Sequence, residues 1–277
     1  MDMEISDKRL DVNDSNQFSA FDLKAFLVEV FKDLYETTRS RSMPKSDSRK
    51  LIFNLDFQDV MVTHEDPVYN MGDIIKIPQG KSIFSTSFTN NTDSEQNYEI
   101  HVERTTVSTA EIELTSGHTT VMEVGMELKI PGDILTANVG FSKELNLECT
   151  KTQSVDQEIN WGVNANIKVK PGHKVTAHAI VKEEKRECKF TMRTKLQGTI
   201  RCVYTDASKE NRFVQMTEGK IGNLFQRHLG LAKKMAGGVL IVTEKVNDTT
   251  IVTMETRGRI QFRYGVQQDV TVTQDKL

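Results

Sequence analysis

The chain has 277 residues, of which 36 are basic and 39 acidic, for a formal net charge of -3. This near-neutral balance argues against a general nucleic-acid binder, for which a strongly basic face is expected, so no nucleic-acid partner is predicted. The length accommodates one elongated β-rich protein or two to three small modules. The start of the chain lacks the basic and apolar segments of a secretory signal peptide, so we expect that a leader was removed or that export is unconventional.

Residues 18–37 place apolar side chains at helical spacing and predict one amphipathic helix at the beginning of the chain. Ser19 is the expected N-cap, because Asp22 follows three residues later and the pair resembles a capping box. The helix is expected to pack on the body of the protein. Contact with a receptor or a membrane is the alternative role.

Residues 39–50 form a polar and basic segment that holds one of only five prolines. This composition is typical of a linker, and an exposed basic linker is open to proteases. We therefore expect activation by cleavage in this segment. The candidate cleavage residues are Arg39, Arg41, Lys45, Arg49 and Lys50.

From residue 51 onward the sequence is rich in Thr, Val and Ile and predicts long antiparallel strands joined by short turns. One helix is expected to interrupt them over residues 221–235 and to serve in packing. A basic cluster on the predicted strands suggests a solvated strand edge that discourages edge pairing, with contact to anionic headgroups as the alternative. The cluster consists of Lys182, Lys185, Arg186 and Lys189.

Residues 122–147 carry two stripes of period two on either side of a tight turn, which predicts an amphipathic β-hairpin. The apolar face consists of Met122, Val124, Met126, Leu128, Ile130, Leu135, Ala137, Val139 and Phe141. The polar face consists of Glu123, Glu127, Lys129, Asn138, Ser142, Glu144, Asn146 and Glu148. The turn consists of Pro131, Gly132, Asp133 and Ile134.

One register matches apolar with apolar side chains across the whole hairpin. Its pairs are Ile130 with Leu135, Leu128 with Ala137, Met126 with Val139, and Val124 with Phe141. Gly132 is expected to take the positive φ that hairpin turns demand. Lys143 then falls opposite Met122 on the apolar face. An ordinary half-buried hairpin is the alternative interpretation of these stripes.

Catalytic and metal-binding motifs were not found in the sequence, so no enzyme, catalytic residue, metal or cofactor is predicted. A glycosidase carboxylate pair is the residual enzyme hypothesis. Trp161 is expected in the core, with a sugar platform as the alternative. Cys188 and Cys202 are expected either to be free thiols or to face each other on adjacent strands.

Several short motifs, in order, resemble the epsilon-toxin and mosquitocidal-toxin branch of the aerolysin-type β-pore-forming proteins. These motifs are Ser87-Phe-Thr-Asn-Asn-Thr-Asp-Ser-Glu-Gln96, Lys129-Ile-Pro-Gly-Asp-Ile134, Asn138-Val-Gly-Phe-Ser142 and Ile167-Lys-Val-Lys-Pro-Gly-His-Lys-Val-Thr-Ala177. The sequence departs from the family where Lys170 precedes Pro171 in place of an apolar residue. The return strand is also poorer in Ser and Thr than is usual for the family.

The resemblance implies a mainly β, elongated fold with long antiparallel strands, the N-terminal helix and an insertion hairpin over residues 112–153. The expected division is residues 1–50 as helix and linker, 51–100 with about 182–250 as a receptor-proximal head, 101–181 as the pore-forming module, and 251–277 as C-terminal strands. The chain is then expected to be soluble, released, and active outside the cell on a target-cell membrane.

The resemblance further implies a pore-forming toxin or defence protein. Its subunits are expected to assemble on membrane lipid and an unknown protein or glycan receptor as a ring-shaped homo-oligomer, with a heptamer as the candidate size. Each subunit would insert one hairpin, with the apolar face toward lipid and the polar face toward the lumen. The excess of glutamate on that polar face predicts a preference for cations. A non-lytic, lectin-like binding protein on the same scaffold is the alternative.

Overall fold

The structure, a computed structural model, describes residues 18–38, 48–77, 81–119, 126–136, 141–147 and 151–277. The strands are β1 (Ser19–Phe21), β2 (Leu51–Asp56), β3 (Val60–His64), β4 (Val68–Lys76), β5 (Lys81–Asn90), β6 (Gln96–His118), β7 (Met126–Lys129), β8 (Glu144–Leu147), β9 (Thr152–Val169), β10 (His173–Asp206), β11 (Arg212–Lys220), β12 (Ile241–Val246) and β13 (Thr249–Lys276). The α-helices are α1 (Leu23–Thr38), α2 (Gly132–Leu135), α3 (Ile221–Arg227) and α4 (Leu229–Met235). The predicted fold class, mainly β with long antiparallel strands, is confirmed.

The strand β10 is the spine of the sheet. It has 34 residues, which at about 3.3 Å per residue extend over roughly 110 Å. One edge of β10 pairs with β13 and then β11, while the other edge pairs in succession with β5, β4, β3 and β2. The far edge of β13 carries β12 and β6, and β6 pairs in turn with β9.

Three hydrophobic clusters follow one another along this spine. The head core gathers α1, α3, α4 and the adjoining strands around side chains such as Phe26, Tyr204 and Phe225. The hairpin core lies in the middle, between β7, β8 and the sheet. The stem core joins β6 and β9 to β5 and β10 through residues such as Ile100 and Val175.

The N-terminal helix packs on the body of the protein, as expected. Five of its apolar side chains are at most 1% exposed, namely Phe26, Leu27, Val30, Phe31 and Tyr35. The predicted N-cap is wrong, because Ser19 belongs to β1. Asp22 caps the helix instead, and its carboxylate accepts a hydrogen bond from the Ala25 amide at 2.9 Å.

Cys188 and Cys202 are both buried free thiols, which agrees with the first of the two expectations for them. The alternative, that they face each other on adjacent strands, is wrong because both lie on β10, 14 residues apart. The expectation for the basic cluster is also wrong. The basic cluster is not at a strand edge. Lys185, for example, lies between Arg263 of β13 and Ile75 of β4, in the interior of the sheet.

The predicted single helix over residues 221–235 is divided at His228 into α3 and α4. The predicted division of the chain stays a prediction. We note that β10 is continuous across its border at residues 181 and 182, and that β13 is continuous across its border at residues 250 and 251.

Two helical glycines provide a test of the packing in the head. A Cβ added to Gly222 on α3 would lie 2.1 Å from the Thr250 carbonyl oxygen, whereas one added to Gly230 on α4 meets nothing within 4 Å. We expect Gly222→Ala to lower the free energy of unfolding by about 2–3 kcal/mol, because α3 must move away from β13. Gly230→Ala is expected to raise it by up to about 1 kcal/mol, since alanine is the better helix former. Urea denaturation of both variants measures the difference.

The buried His118 predicts acid sensitivity. Burial, with a smaller effect of the nearby His64, lowers the pKa of His118 to about 4. Because the unfolded chain takes up this proton near pH 6.5, the contribution of His118 to stability is constant above that pH and falls between pH 6.5 and 4, by about 3 kcal/mol in all. We expect His118→Gln to flatten this part of the pH profile in urea denaturation. The exposed His178, replaced in the same way, should leave the profile unchanged.

Candidate functional site

The predicted amphipathic hairpin is present and lies folded back on the sheet. Its strands β7 and β8 form a separate two-stranded ladder. The apolar face that the sequence predicts is buried wherever it is described, apart from the half-buried Leu135. Its relative exposures are 0% for Met126 and Leu128, 5% for Ile130 and 8% for Phe141, with Leu145 and Leu147 at 3% and 5%. The apolar stripe is therefore covered by protein in this state.

The floor beneath the stripe is built by three long strands. β6 provides Ala110, Ile112 and Leu114, β10 provides Cys188, Phe190 and Met192, and β13 provides Ile260, Phe262 and Tyr264. The Phe141 and Phe262 rings meet edge to face with centroids 5.7 Å apart. Burial of each large apolar side chain contributes about 1.5–3 kcal/mol, so this face holds the hairpin down more strongly than its few polar contacts do.

The polar face of the hairpin points to solvent. Glu127, Lys129, Glu144 and Asn146 are exposed on β7 and β8, and Ser142 is exposed just before β8. This division between the two faces agrees with the predicted period of two. The hairpin is thus amphipathic in three dimensions as well as in sequence.

Three side chains of the body hold the hairpin at its tip. The Tyr69 hydroxyl donates to the Lys129 carbonyl at 2.6 Å, and the Lys129 ammonium lies 2.7 Å from the Asp66 carboxylate. Arg186 lies 3.6 Å from the Asp133 carboxylate and is itself largely buried. Burial raises the pKa of Tyr69, so its hydroxyl remains a donor. These tethers were not predicted, since each joins residues far apart in the sequence.

The predicted tight turn is wrong. Residues 132–135 form the short helix α2, with Gly132 inside it instead of at a positive φ. Ile134 is fully buried and Leu135 is half-buried. The tip therefore folds inward onto the hairpin core.

The predicted register of the hairpin is also wrong for this state. Leu128 lies opposite Leu145, and Met126 lies opposite Leu147. The Ile130 amide donates to the Lys143 carbonyl at 2.8 Å. Lys143 thus lies opposite Ile130, and not opposite Met122 as predicted.

The predicted register nevertheless coincides with that of the stem strands. β6 and β9 pair without a bulge from Gln96–Val169 to Glu113–Thr152. This ladder can be extended by counting forward from Glu113 and backward from Thr152, one residue at a time. The extension places Ile130 opposite Leu135. The folded-back hairpin places Lys143 there instead of Leu135, a shift of eight residues. Because the shift is even, each side chain keeps its face of the hairpin in both registers.

Several predicted site residues lie outside the described part of the chain. They are Met122, Glu123, Val124, Ala137, Asn138, Val139 and Glu148 of the hairpin, and Arg39, Arg41 and Lys45 of the cleavage segment. The other two cleavage candidates, Arg49 and Lys50, are exposed on the short 3-10 helix Ser48–Lys50, directly before β2.

The described residues offer no metal site. Within the described ranges, no group of three or more His, Cys, Asp and Glu side chains is placed to hold a metal ion. Trp161 is half-buried and its indole N–H donates to the Thr106 hydroxyl at 2.8 Å. Among the helices described, none has the length and apolar character needed to cross a bilayer.

Comparison with solved structures finds the same fold in other chains. A non-toxic crystal protein from Bacillus thuringiensis has a TM-score of 0.56 at 14% identity, with 94% of this chain and 98% of that chain covered. The binary complex of Cry23Aa1 and Cry37Aa1 has a TM-score of 0.55 at 14% identity, with 93% and 90% covered. The Mpp75Aa1.1 beta-pore-forming protein from Brevibacillus laterosporus is more distant, with a TM-score of 0.42 at 13% identity and 94% and 98% covered. No protein-family model and no curated protein sequence matches the chain.

Identities this low show the fold and not the activity. The fold is nevertheless common to almost the full length of the first two chains. The chain therefore shares its long-stranded β fold with these two proteins.

Proposed function

We propose that this protein is a pore-forming toxin or defence protein that assembles on a target membrane and inserts one hairpin per subunit into a transmembrane β-barrel. Its partners are membrane lipid, an unidentified protein or glycan receptor, and further copies of the chain in a ring. A heptamer is the proposed size of the ring. The protein acts outside the cell after its release.

The observation that carries this proposal is the disagreement between two registers. The stripes in residues 122–147 fit the register of the β6–β9 stem, but the folded-back hairpin uses another register, shifted by eight residues. A hairpin that only packed on a core would have no need of apolar alternation that fits a second pairing. We infer that the sequence also encodes a straightened state, in which β6 and β9 continue into one long hairpin.

Insertion of a single hairpin is unfavourable because its outer backbone N–H and C=O groups would remain unpaired in hydrocarbon, at several kcal/mol each. A closed ring of hairpins satisfies every edge. In this proposal assembly comes first, and the straightened hairpins insert together. Cleavage within residues 39–50 is the proposed activation step.

The charge of the exposed face suggests which ions would pass. Glu127 and Glu144 lie on the described polar face, together with a single lysine, Lys129. In a ring this surplus of negative charge is repeated by every subunit, which supports a preference for cations.

A non-lytic, lectin-like binding protein is the second candidate. It is favoured by one observation, namely that a protein with the same fold is described as non-toxic. Such a protein would bind its target without releasing vesicle contents.

Two matched disulfides test whether the hairpin straightens. Glu127 and Asn146 are exposed partners on β7 and β8, whereas Thr105 and Asn160 are exposed partners in the stem. Both are non-hydrogen-bonded pairs of their antiparallel ladders, in which the two side chains lie close enough for a disulfide. In a background with all native cysteines replaced by alanine, we expect the 127–146 disulfide to abolish dye release from liposomes and dithiothreitol to restore it. The 105–160 disulfide should have no effect, because that pair is common to both states.

Equal release from the oxidised and reduced 127–146 variants would contradict hairpin insertion. Binding to target membranes without any dye release, even by the trypsin-treated parent, would favour the non-lytic candidate instead.

The charge of the lumen provides a separate prediction. We expect Glu127→Lys to shift the reversal potential of single channels in a salt gradient toward chloride, because one acidic ring becomes basic. Glu244→Lys is the control, since Glu244 is an exposed glutamate of the head. Its reversal potential should equal that of the parent. An unchanged reversal potential in Glu127→Lys would show that Glu127 does not face the lumen.

A further inference from the structure

The edge of β6 that faces β9 has two successive partners. At Glu113, β6 lies between Arg259 of β13 and Thr152 of β9. Three residues later, at Ser116, it lies between Arg257 of β13 and Ser19 of β1. A strand has only two edges, and β13 occupies one of them at both positions. β9 and β1 therefore use the same edge of β6, one after the other.

Continuation of the stem ladder would require this edge. Its last bond among the described residues runs from the Leu114 amide to the Lys151 carbonyl at 2.9 Å. Beyond it, the stem register would bring Leu147 opposite His118, where Phe21 of β1 lies in the structure. Each backbone N–H and C=O of the edge can serve one neighbouring strand at a time. The two arrangements exclude each other.

The strand β6 also has an irregularity at the point where it begins to pair with β1. The pairing of β6 with β13 shifts between Leu114 and Ser116, which leaves Thr115 as a bulge. The Thr115 hydroxyl donates to the Arg257 carbonyl at 3.1 Å. A bulge of this kind ends one ladder and turns the strand toward another.

β1 is a short strand, yet it is anchored in both neighbouring cores. Phe21 is fully buried in the head core, with its ring 5.6 Å from Phe26 and 6.2 Å from Phe225. Its carbonyl accepts a hydrogen bond from the Thr119 amide at 2.9 Å, and the Ser19 hydroxyl donates to the Gly237 carbonyl. Phe18, directly before β1, packs against the hairpin core.

We propose that β1 is a lock on the hairpin. It occupies the edge of β6 that the returning strand must take, and it has to leave that edge before the stem can continue into the straightened hairpin. This inference rests on the proposed function. The lock consists of three paired residues, so its release costs far less than unfolding the head. Cleavage within residues 39–50 would cut the chain between α1 and β2, leaving β1 and α1 attached by non-covalent contacts alone.

A disulfide between β1 and β6 tests the lock directly. Ser19 and Ser116 are register partners and both are half-buried. In the cysteine-free background, we expect the oxidised Ser19→Cys/Ser116→Cys variant to release liposome dye at least about tenfold more slowly than its reduced form. The 105–160 disulfide of the stem is again the control and should release dye at the parent rate. If the oxidised 19–116 variant releases dye as fast as its reduced form, β1 is not a lock.

A second measurement does not depend on pore formation. Thr119 and Asn146 are opposite each other in the continued stem register, whereas Asn146 faces Glu127 in the structure. A Thr119→Cys/Asn146→Cys pair therefore reports straightening when it forms a disulfide. We expect Phe21→Ala to accelerate this crosslink at least about fivefold relative to Phe31→Ala, since Phe21 belongs to β1 and anchors it whereas Phe31 belongs to α1.

Phe31 is the matched control because it is equally buried in the same core. Equal crosslinking rates in the two variants would overturn the lock, even if no form of the protein releases dye. Absence of dye release from the parent, with a faster crosslink in Phe21→Ala, would refute the proposed pore and leave the lock intact.

Discussion

An amphipathic hairpin in water has to cover its apolar side, and this constraint organises the middle of the molecule. β7 and β8 lie on a floor built from β6, β10 and β13, so the hairpin core requires three strands that come from distant parts of the chain. The tethers at Tyr69, Asp66 and Arg186 complete the attachment at the tip. The polar side chains of the outer face that the structure describes are exposed, so none of the described charged side chains of the hairpin is buried.

The same strands support two pairings, and this is the basis of the proposed change. The stem and the folded-back hairpin differ by an even number of residues, so no side chain changes its face when one register replaces the other. The burial of the stripe in the hairpin core would be exchanged for burial in lipid. The backbone bonds between β7 and β8 would be replaced by those of the stem register, and the outer edges of the hairpin would pair with neighbouring subunits. Two packings of one sequence that are close in free energy are the requirement for such a switch.

The sequence predicts the hairpin well because alternation along a strand is a local signal, and the described residues of each face lie where that signal places them. The register was missed because the stripes fit the stem ladder, while the folded-back state depends on contacts with β6, β10 and β13. The helix α2 has only four residues and therefore leaves no periodic pattern. Arg186 was assigned to an edge because charge on a strand suggests exposure, but its partner Asp133 is distant in sequence.

The N-terminal elements show a similar limit. Helical spacing identifies α1, yet it does not separate β1 from the helix, because Ser19 and Asp22 are both acceptable caps by residue type. Only the tertiary structure shows that Asp22 caps the helix and that Ser19 pairs with Ser116. Local sequence patterns thus predict the structure least well at β1 and the start of α1, where the head core and the hairpin core are connected.

The order of the strands in the sheet has a consequence for biosynthesis. β10 is complete at Asp206, but its principal partner β13 begins only at Thr249. During translation, a long strand with many apolar side chains must therefore wait with one edge open until the later segment has left the ribosome. Such an open edge can join the same edge of another nascent chain. Until β13 has been synthesised, the edge of β10 from His173 to Leu196 thus lacks the strand that covers it in the folded protein.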